Sequence, residues 1–182
     1  MAKENKTRYA LLGFLSSQPA SGYEIKKKME QSTNHFWREG DSSIYPILKQ
    51  LLDEGMVTCA LGNKESDKPK KVYAITHDGQ LELQEWLKEN PVYYPHRNEL
   101  LLKIFFGWNV KTAISINHIE NFRHIVKSVI NDYQAKTHNV VENKLTQKQL
   151  YQYLTLKAGI IYSEASIRWC DDAIKLLKKR VK

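Results

Sequence analysis

Two cysteines in 182 residues, Cys59 and Cys170, are too few and too far apart for a disulfide framework or a Cys-x-x-Cys metal site, so both are expected as reduced, mostly buried thiols. The six histidines form no His-x-x-x-His pair; His118 and His124 are six apart on a predicted helix and so not on one face, which argues against a metal site. No phosphate-cradling glycine-rich loop, nucleophile elbow or paired-carboxylate arrangement is present. These absences leave no metal, no cofactor and no catalytic residue to assign, and an enzyme is the least favoured class. No run of about 18 apolar residues occurs, so no membrane span is expected. The opening Met-Ala-Lys-Glu-Asn-Lys lacks the apolar core of a secretory signal, and a cytoplasmic protein is the expectation.

What the chain does have is a 42% apolar content, enough to bury a core, and a formal net charge of +8. That excess is uneven. Residues 1–95 hold 13 Lys and Arg against 13 Asp and Glu, and residues 96–182 hold 15 against 7, so net charge alone does not locate a nucleic-acid surface. Periodicity predicts a short buried helix over residues 7–17 with Tyr9, Leu12 and Leu15 inward and Leu11 and Phe14 widening the stripe. A second helix follows Ser21, a candidate cap, with Ile25 and Met29 inward and Lys26, Lys27 and Lys28 on a basic surface. Phe36 and Trp37 are expected to pack against these two helices.

Residues 40–57 carry the most information. Ile44, Ile47, Leu48, Leu51 and Leu52 form an apolar stripe at helical spacing, and Ser42, Tyr45, Lys49 and Asp53 follow the same period on the opposite side. Pro46 is tolerated in the first turn, so the helix is expected to begin at Ser42 or Ser43 and to stop at Gly55. The period then changes to alternation. Val57, Cys59 and Leu61, then Tyr73 and Ile75, predict a β-hairpin whose charged tip carries Lys64, Lys68, Lys70 and Lys71, stiffened by Pro69. Thr76 caps a further helix containing Leu81, Leu83, Trp86 and Leu87.

Residues 91–95, flanked by prolines, read as a linker between residues 1–90 and residues 91–182. Beyond it, Ile119, Phe122, Val126, Val129 and Tyr133 repeat at three and four, the seam of a packed helix. Thr146 with Gln149 resembles a capping box, and a helical face then runs almost to the terminus, about 50 Å long if unbroken. A helix of that length is hard to bury inside so small a domain, and a helical homodimer interface accounts for it.

The fold class is therefore mainly α with a small β-hairpin: an N-terminal winged helix-turn-helix and a C-terminal all-helical dimerisation domain. Such a fold suits DNA, because a helix fits the major groove with its N-terminal residues against base edges. Ser42, Ser43 and Tyr45 at that end offer hydroxyls, Lys49 one turn on can reach a phosphate, and Pro46 lies among them. The tip lysines and Lys26 supply further backbone contacts.

The ordered segments Leu11-Leu12-Gly13-Phe14-Leu15, Ser21-Gly22-Tyr23-Glu24-Ile25, Ser43-Ile44-Tyr45-Pro46-Ile47-Leu48, Glu54-Gly55-Met56-Val57 and Lys68-Pro69-Lys70-Lys71-Val72-Tyr73-Ala74-Ile75-Thr76 resemble those of PadR-family transcriptional regulators. The likeness covers roughly residues 8–90, and the helical remainder looks like the longer C-terminal dimerisation domain of one branch of that family. It implies a homodimeric bacterial repressor on double-stranded DNA with a palindromic operator, relieved by a small molecule or stress signal. Tyr23, carried over from the second segment, is a candidate backbone contact, with packing against the recognition helix as the other reading. Where the family commonly has Gly-Arg-Pro-Arg, this chain has Asp67-Lys68-Pro69-Lys70, so its wing lacks guanidinium forks and is expected to contact phosphate more than bases. His77 stands where the family often has proline.

Two alternatives remain at this level. One is a winged-helix ligand-sensing or protein-interaction module without direct DNA binding. The other concerns Trp108, Arg123, His124 and Trp169, candidate effector-binding residues for a small aromatic anion; against this, the tryptophans read more readily as core or dimer-seam residues and Arg123 as solvated.

Overall fold

The computed structural model describes residues 6–34, 36–62, 70–93, 97–138 and 140–180. The chain forms two compact units that divide at Tyr93. In the first, α1 (Thr7–Leu15), α2 (Gly22–Ser32) and α3 (Asp41–Asp53) precede an antiparallel hairpin, β1 (Val57–Leu61) and β2 (Lys71–Ile75), and α4 (His77–Lys88) closes the order. Their core is one cluster in which Leu11 and Leu12 of α1, Ile25 of α2 and Ile44, Leu48 and Leu51 of α3 are fully enclosed.

Local chemistry sets the element boundaries. Ser21 and Glu24 form a capping box: the Ser21 N–H donates to Glu24 Oε2 at 2.8 Å and the Glu24 N–H donates to Ser21 Oγ at 3.3 Å. At the far end of α3, Gly55 takes φ 74°, and the Met56 N–H reaches the Leu51 carbonyl at 2.9 Å while the Gly55 N–H reaches that of Leu52 at 3.1 Å. That pair of bonds is the glycine-terminated stop that a helix needs before turning into a strand. Thr76 caps α4, accepting from the Gly79 N–H at 3.1 Å.

Several expectations need correction. Helix α3 begins at Asp41, with Gly40 as its cap, so Pro46 sits in the second turn. It removes the N–H that would bond the Ser42 carbonyl, a loss made tolerable by the exposure of Ser42 to water. Leu52 is 37% exposed; eight residues beyond Ile44 it has rotated about 80° off the stripe at roughly 100° per residue. Leu81 and Leu87 also face solvent, leaving Leu83 and Trp86 as the packing side of α4, and Trp86 stacks on Tyr9 with ring centroids 4.5 Å apart. Phe36 is 60% exposed and faces solvent, whereas Trp37 is partly covered.

The hairpin register pairs Val57 with Ile75, Cys59 with Tyr73 and Leu61 with Lys71. Ala20 adds a third edge through reciprocal backbone bonds with Tyr73 at 3.0 and 2.9 Å, tying the wing to the residues just before α2. Lys64, Lys68 and Pro69 lie outside the described residues.

The second unit contains α5 (Glu99–Phe105), a single 3₁₀ turn (Gly107–Asn109), α6 (Thr112–Thr137) and α7 (Gln147–Arg180). Helices α6 and α7 run antiparallel, since Ile119 meets Cys170 and Ile174 at one end and Tyr133 lies on Gly159 at the other. The Thr146–Gln149 capping box opens α7, with Thr146 N–H to Gln149 Oε1 at 2.9 Å and Gln149 N–H to Thr146 Oγ1 at 3.3 Å. Ile119, Cys170 and Ile174 form this unit's apolar cluster and Val126, Ile130 and Tyr133 are buried as well, while Leu102, Phe105, Trp108, Leu154, Ile161 and Tyr162 are exposed. No helix of the described residues is long and apolar enough to cross a membrane.

Candidate nucleic-acid interface

The outer face of α3 is set by what its inner face must do. Burial of Ile44, Ile47, Leu48 and Leu51 turns Ser42, Tyr45, Pro46 and Lys49 outward, where all four are exposed, and leaves Ser43 half-buried. The helix N-terminus at Asp41 and Ser42 carries unpaired backbone N–H groups and the positive end of the helix dipole. Tyr23, the second residue of α2, is 64% exposed.

The basic residues divide into free and held. The Lys26 ammonium donates to Asp41 Oδ2 at 2.7 Å, joining α2 to the first turn of α3, and that hydrogen bond raises the lysine's affinity for its proton. Lys70, at the base of the wing, donates to Glu24 Oε1 at 2.8 Å. Glu24 therefore serves two elements at once, and bonds from Lys70 and then from Ser21 hold its carboxyl down to about 2. Lys49 and Lys71 are exposed.

Behind this surface lies a clamp that periodicity does not reveal. Arg8 on α1 donates from Nε and Nη2 to the two carboxylate oxygens of Glu82 on α4, at 2.6 and 2.9 Å, and from Nη2 to Glu54 at the end of α3, at 2.7 Å. Gln50 donates to the other Glu54 oxygen at 2.7 Å. The Glu82 bonds, followed by burial that opposes them and the bond to Glu54, leave Arg8 well above its already high ordinary value. Arg8, Glu54 and Glu82 are 46 or more residues apart in pairs with Arg8, so no local sequence signal joins them; the Ser21-x-x-Glu24 box, by contrast, is readable from spacing.

In the second unit, Trp108 is 72% exposed and meets Phe105 and Phe106 edge-on. Arg123 is paired with Asp171, His124 is exposed, and Trp169 packs against the Ile119, Cys170 and Ile174 cluster. A cavity of about 360 Å³ between α5 and α6 is lined by residues including Leu102, Lys103, Phe106, Ile114 and His118. None of the four candidate effector residues lines it.

Comparison with known proteins gives this geometry a family. The transcriptional regulator PadR-like family matches residues 11–85, and the family described as virulence activator alpha C-term matches residues 96–178. The negative transcriptional regulator PadR of Bacillus subtilis is 36% identical over 177 residues, spanning 94% of this chain and 97% of that protein. The crystal structure of Bacillus subtilis PadR in complex with operator DNA superposes with a TM-score of 0.86 at 25% sequence identity, covering 95% of this chain and 99% of that one. The same protein in complex with p-coumaric acid gives a TM-score of 0.78 at 24% identity, covering 96% and 99%. The identity over nearly the full length of both chains, with motifs and fold in agreement, establishes that this chain belongs to the PadR-like family of transcriptional regulators.

Proposed function

We propose that this regulator is a homodimeric repressor, acting in the cytoplasm and without catalysis, that binds palindromic operator DNA. Residues 1–90 form the DNA-binding domain and residues 91–182 the dimerisation domain. Each α3 enters a major groove, the two grooves lying about one DNA turn, roughly 34 Å, apart. The observation that carries this reading is the division of α3 into a fully buried apolar stripe and an exposed face of Ser42, Tyr45 and Lys49. The hydroxyls suit base edges and Lys49 and Lys71 suit phosphates. Tyr23, Lys26 and Lys70 border the same interface, and Lys64 and Lys68 are assigned to further phosphate contacts from their place in the sequence.

The operator complex of the Bacillus subtilis relative supports the DNA reading, and its p-coumaric acid complex supports relief by a small aromatic acid. Site selection from random DNA, followed by a salt titration of the selected operator, tests the proposal. A palindromic consensus and an affinity that falls steeply with salt are expected, at about 0.9 in log–log slope per neutralised phosphate. An asymmetric consensus or a flat slope refutes it. Titrating tryptophan fluorescence with p-coumaric acid, at concentrations that release the operator, tests the effector; operator release without any saturable binding removes it.

A further inference from the structure

Gly22 opens α2, and its backbone does not need to be glycine. The only positive φ among the described residues belongs to Gly55. At the first position of a helix alanine is favoured over glycine, which loses more backbone freedom on folding. The reason for glycine lies across the interface with the recognition helix. A Cβ at residue 22 would stand 2.7 Å from Cε1 and 3.2 Å from Cδ1 of Tyr45, and 3.2 Å from Cδ1 of Leu48. The Tyr45 ring therefore lies directly on the Gly22 backbone, with one edge seated and the side chain still 48% exposed.

A tyrosine on an exposed helix face ordinarily samples several rotamers, and fixing one costs entropy at the moment of binding. Here the seat restricts the ring before any partner arrives. Lys26, one turn further along α2, is itself fixed by Asp41 at 2.7 Å. One end of α2 thus supplies the floor beneath the Tyr45 ring and, one turn on, a cation held against the start of α3.

We infer that Gly22 is a positioning residue for operator recognition, its missing side chain being the seat that aims the Tyr45 hydroxyl at a base edge. The inference rests on the proposed role of Tyr45 in DNA binding. Gly22 itself is buried and touches no DNA in this scheme. Its effect passes wholly through Tyr45.

The test is a double-mutant cycle of Gly22→Ala and Tyr45→Ala in the full chain, measured on the selected operator and on random DNA of equal length. Tyr45→Ala is expected to cut the preference for operator about tenfold, the scale of one lost specific contact. Gly22→Ala should do the same in the wild-type background and change the preference less than twofold once Tyr45 is alanine. Random-DNA affinity should move less than twofold throughout, which a general loss of structure would not allow. An unchanged preference in Gly22→Ala, or equal losses in both backgrounds, overturns the seat while leaving Tyr45 as a contact. No effect of Tyr45→Ala overturns the contact and the seat together. If Gly22→Ala does not fold, the steric conflict predicts that adding Tyr45→Ala restores folding, and failure to restore it overturns the inference.

Discussion

Replacing Arg8 by alanine should loosen the first unit where α1, α4 and the end of α3 meet. The guanidinium makes three bonds of 2.6 to 2.9 Å to two carboxylates, and its side chain is only 20% exposed. Hydrogen bonds to charged groups contribute about 1.5–3 kcal/mol each when well enclosed. Glu82 and Glu54 are 24% and 38% exposed, so solvent discounts the set, and a net cost of about 2–3 kcal/mol follows. For a unit of this size each kcal/mol lowers the midpoint by roughly 4–8 °C, which predicts a fall of about 10 °C or more in the first unit's transition, followed by circular dichroism. The pH dependence has a definite sign. Bonds from Gln50 and then Arg8 depress the Glu54 carboxyl, so its contribution is fully present above the ordinary glutamate value of about 4.3 and is lost as the pH falls below it. The gap between wild type and Arg8→Ala should therefore be constant from pH 6 to 8 and narrow below about pH 4.3. A midpoint shift under about 3 °C at pH 7 would show that the clamp is a surface ion pair of no consequence.

Three further outcomes follow from the same structure. Ser21→Ala removes the α2 cap and should cost about 1 kcal/mol, and because Glu24 is held down to about 2, thermal melts should show its share present above pH 4.5 and fading as the pH falls toward 2. Lys49→Ala should lower the log–log salt slope of operator binding by about one, whereas Lys70→Gln should lower it less, because Lys70 already has Glu24 as a partner; equal slopes for the two variants would contradict this. Ile119→Ala should open a cavity between α6 and α7 and cost the second unit about 2–4 kcal/mol, and an unchanged midpoint in chemical denaturation would mean that the site collapses without penalty.

The elements legible in the sequence are those whose signals are local. The stripe of α3 as far as Leu51, the stop at Gly55 and the Thr146–Gln149 box each occupy a dozen residues or fewer and appear where spacing places them, and the alternation of β1 holds for Val57 and Cys59 but not for Leu61, which is 70% exposed. Phe36 misled because a large apolar residue in a short connection reads as core, although nothing in its spacing says which surface it meets. The start of α3 misled by one residue because the cost of an interior proline depends on whether the orphaned carbonyl can reach water, a property of the folded surface. The Arg8 clamp, the Ala20 edge and the contact of Gly22 with Tyr45 join residues 23 to 74 positions apart, and no period links them. Those long-range contacts are also what position the proposed reading face.

The charge balance of the first unit then takes on a functional sense. With 13 cations against 13 anions over residues 1–95, Arg8, Lys26 and Lys70 are each bonded to a carboxylate of the same unit, so part of the positive charge of that unit is committed internally. Non-specific affinity for DNA comes almost wholly from phosphate neutralisation, so a unit that neutralises its own lysines weakens its hold on every sequence alike. The contacts to base edges proposed for Ser42 and Tyr45 do not depend on that charge, because they rest on hydrogen-bond geometry. Holding Lys26 against Asp41 and Lys70 against Glu24 therefore lowers affinity for operator and random DNA by a common factor. The ratio of the two affinities, which governs occupancy in a genome of competing sites, is left to the proposed base contacts of α3, because neither lysine reads a base.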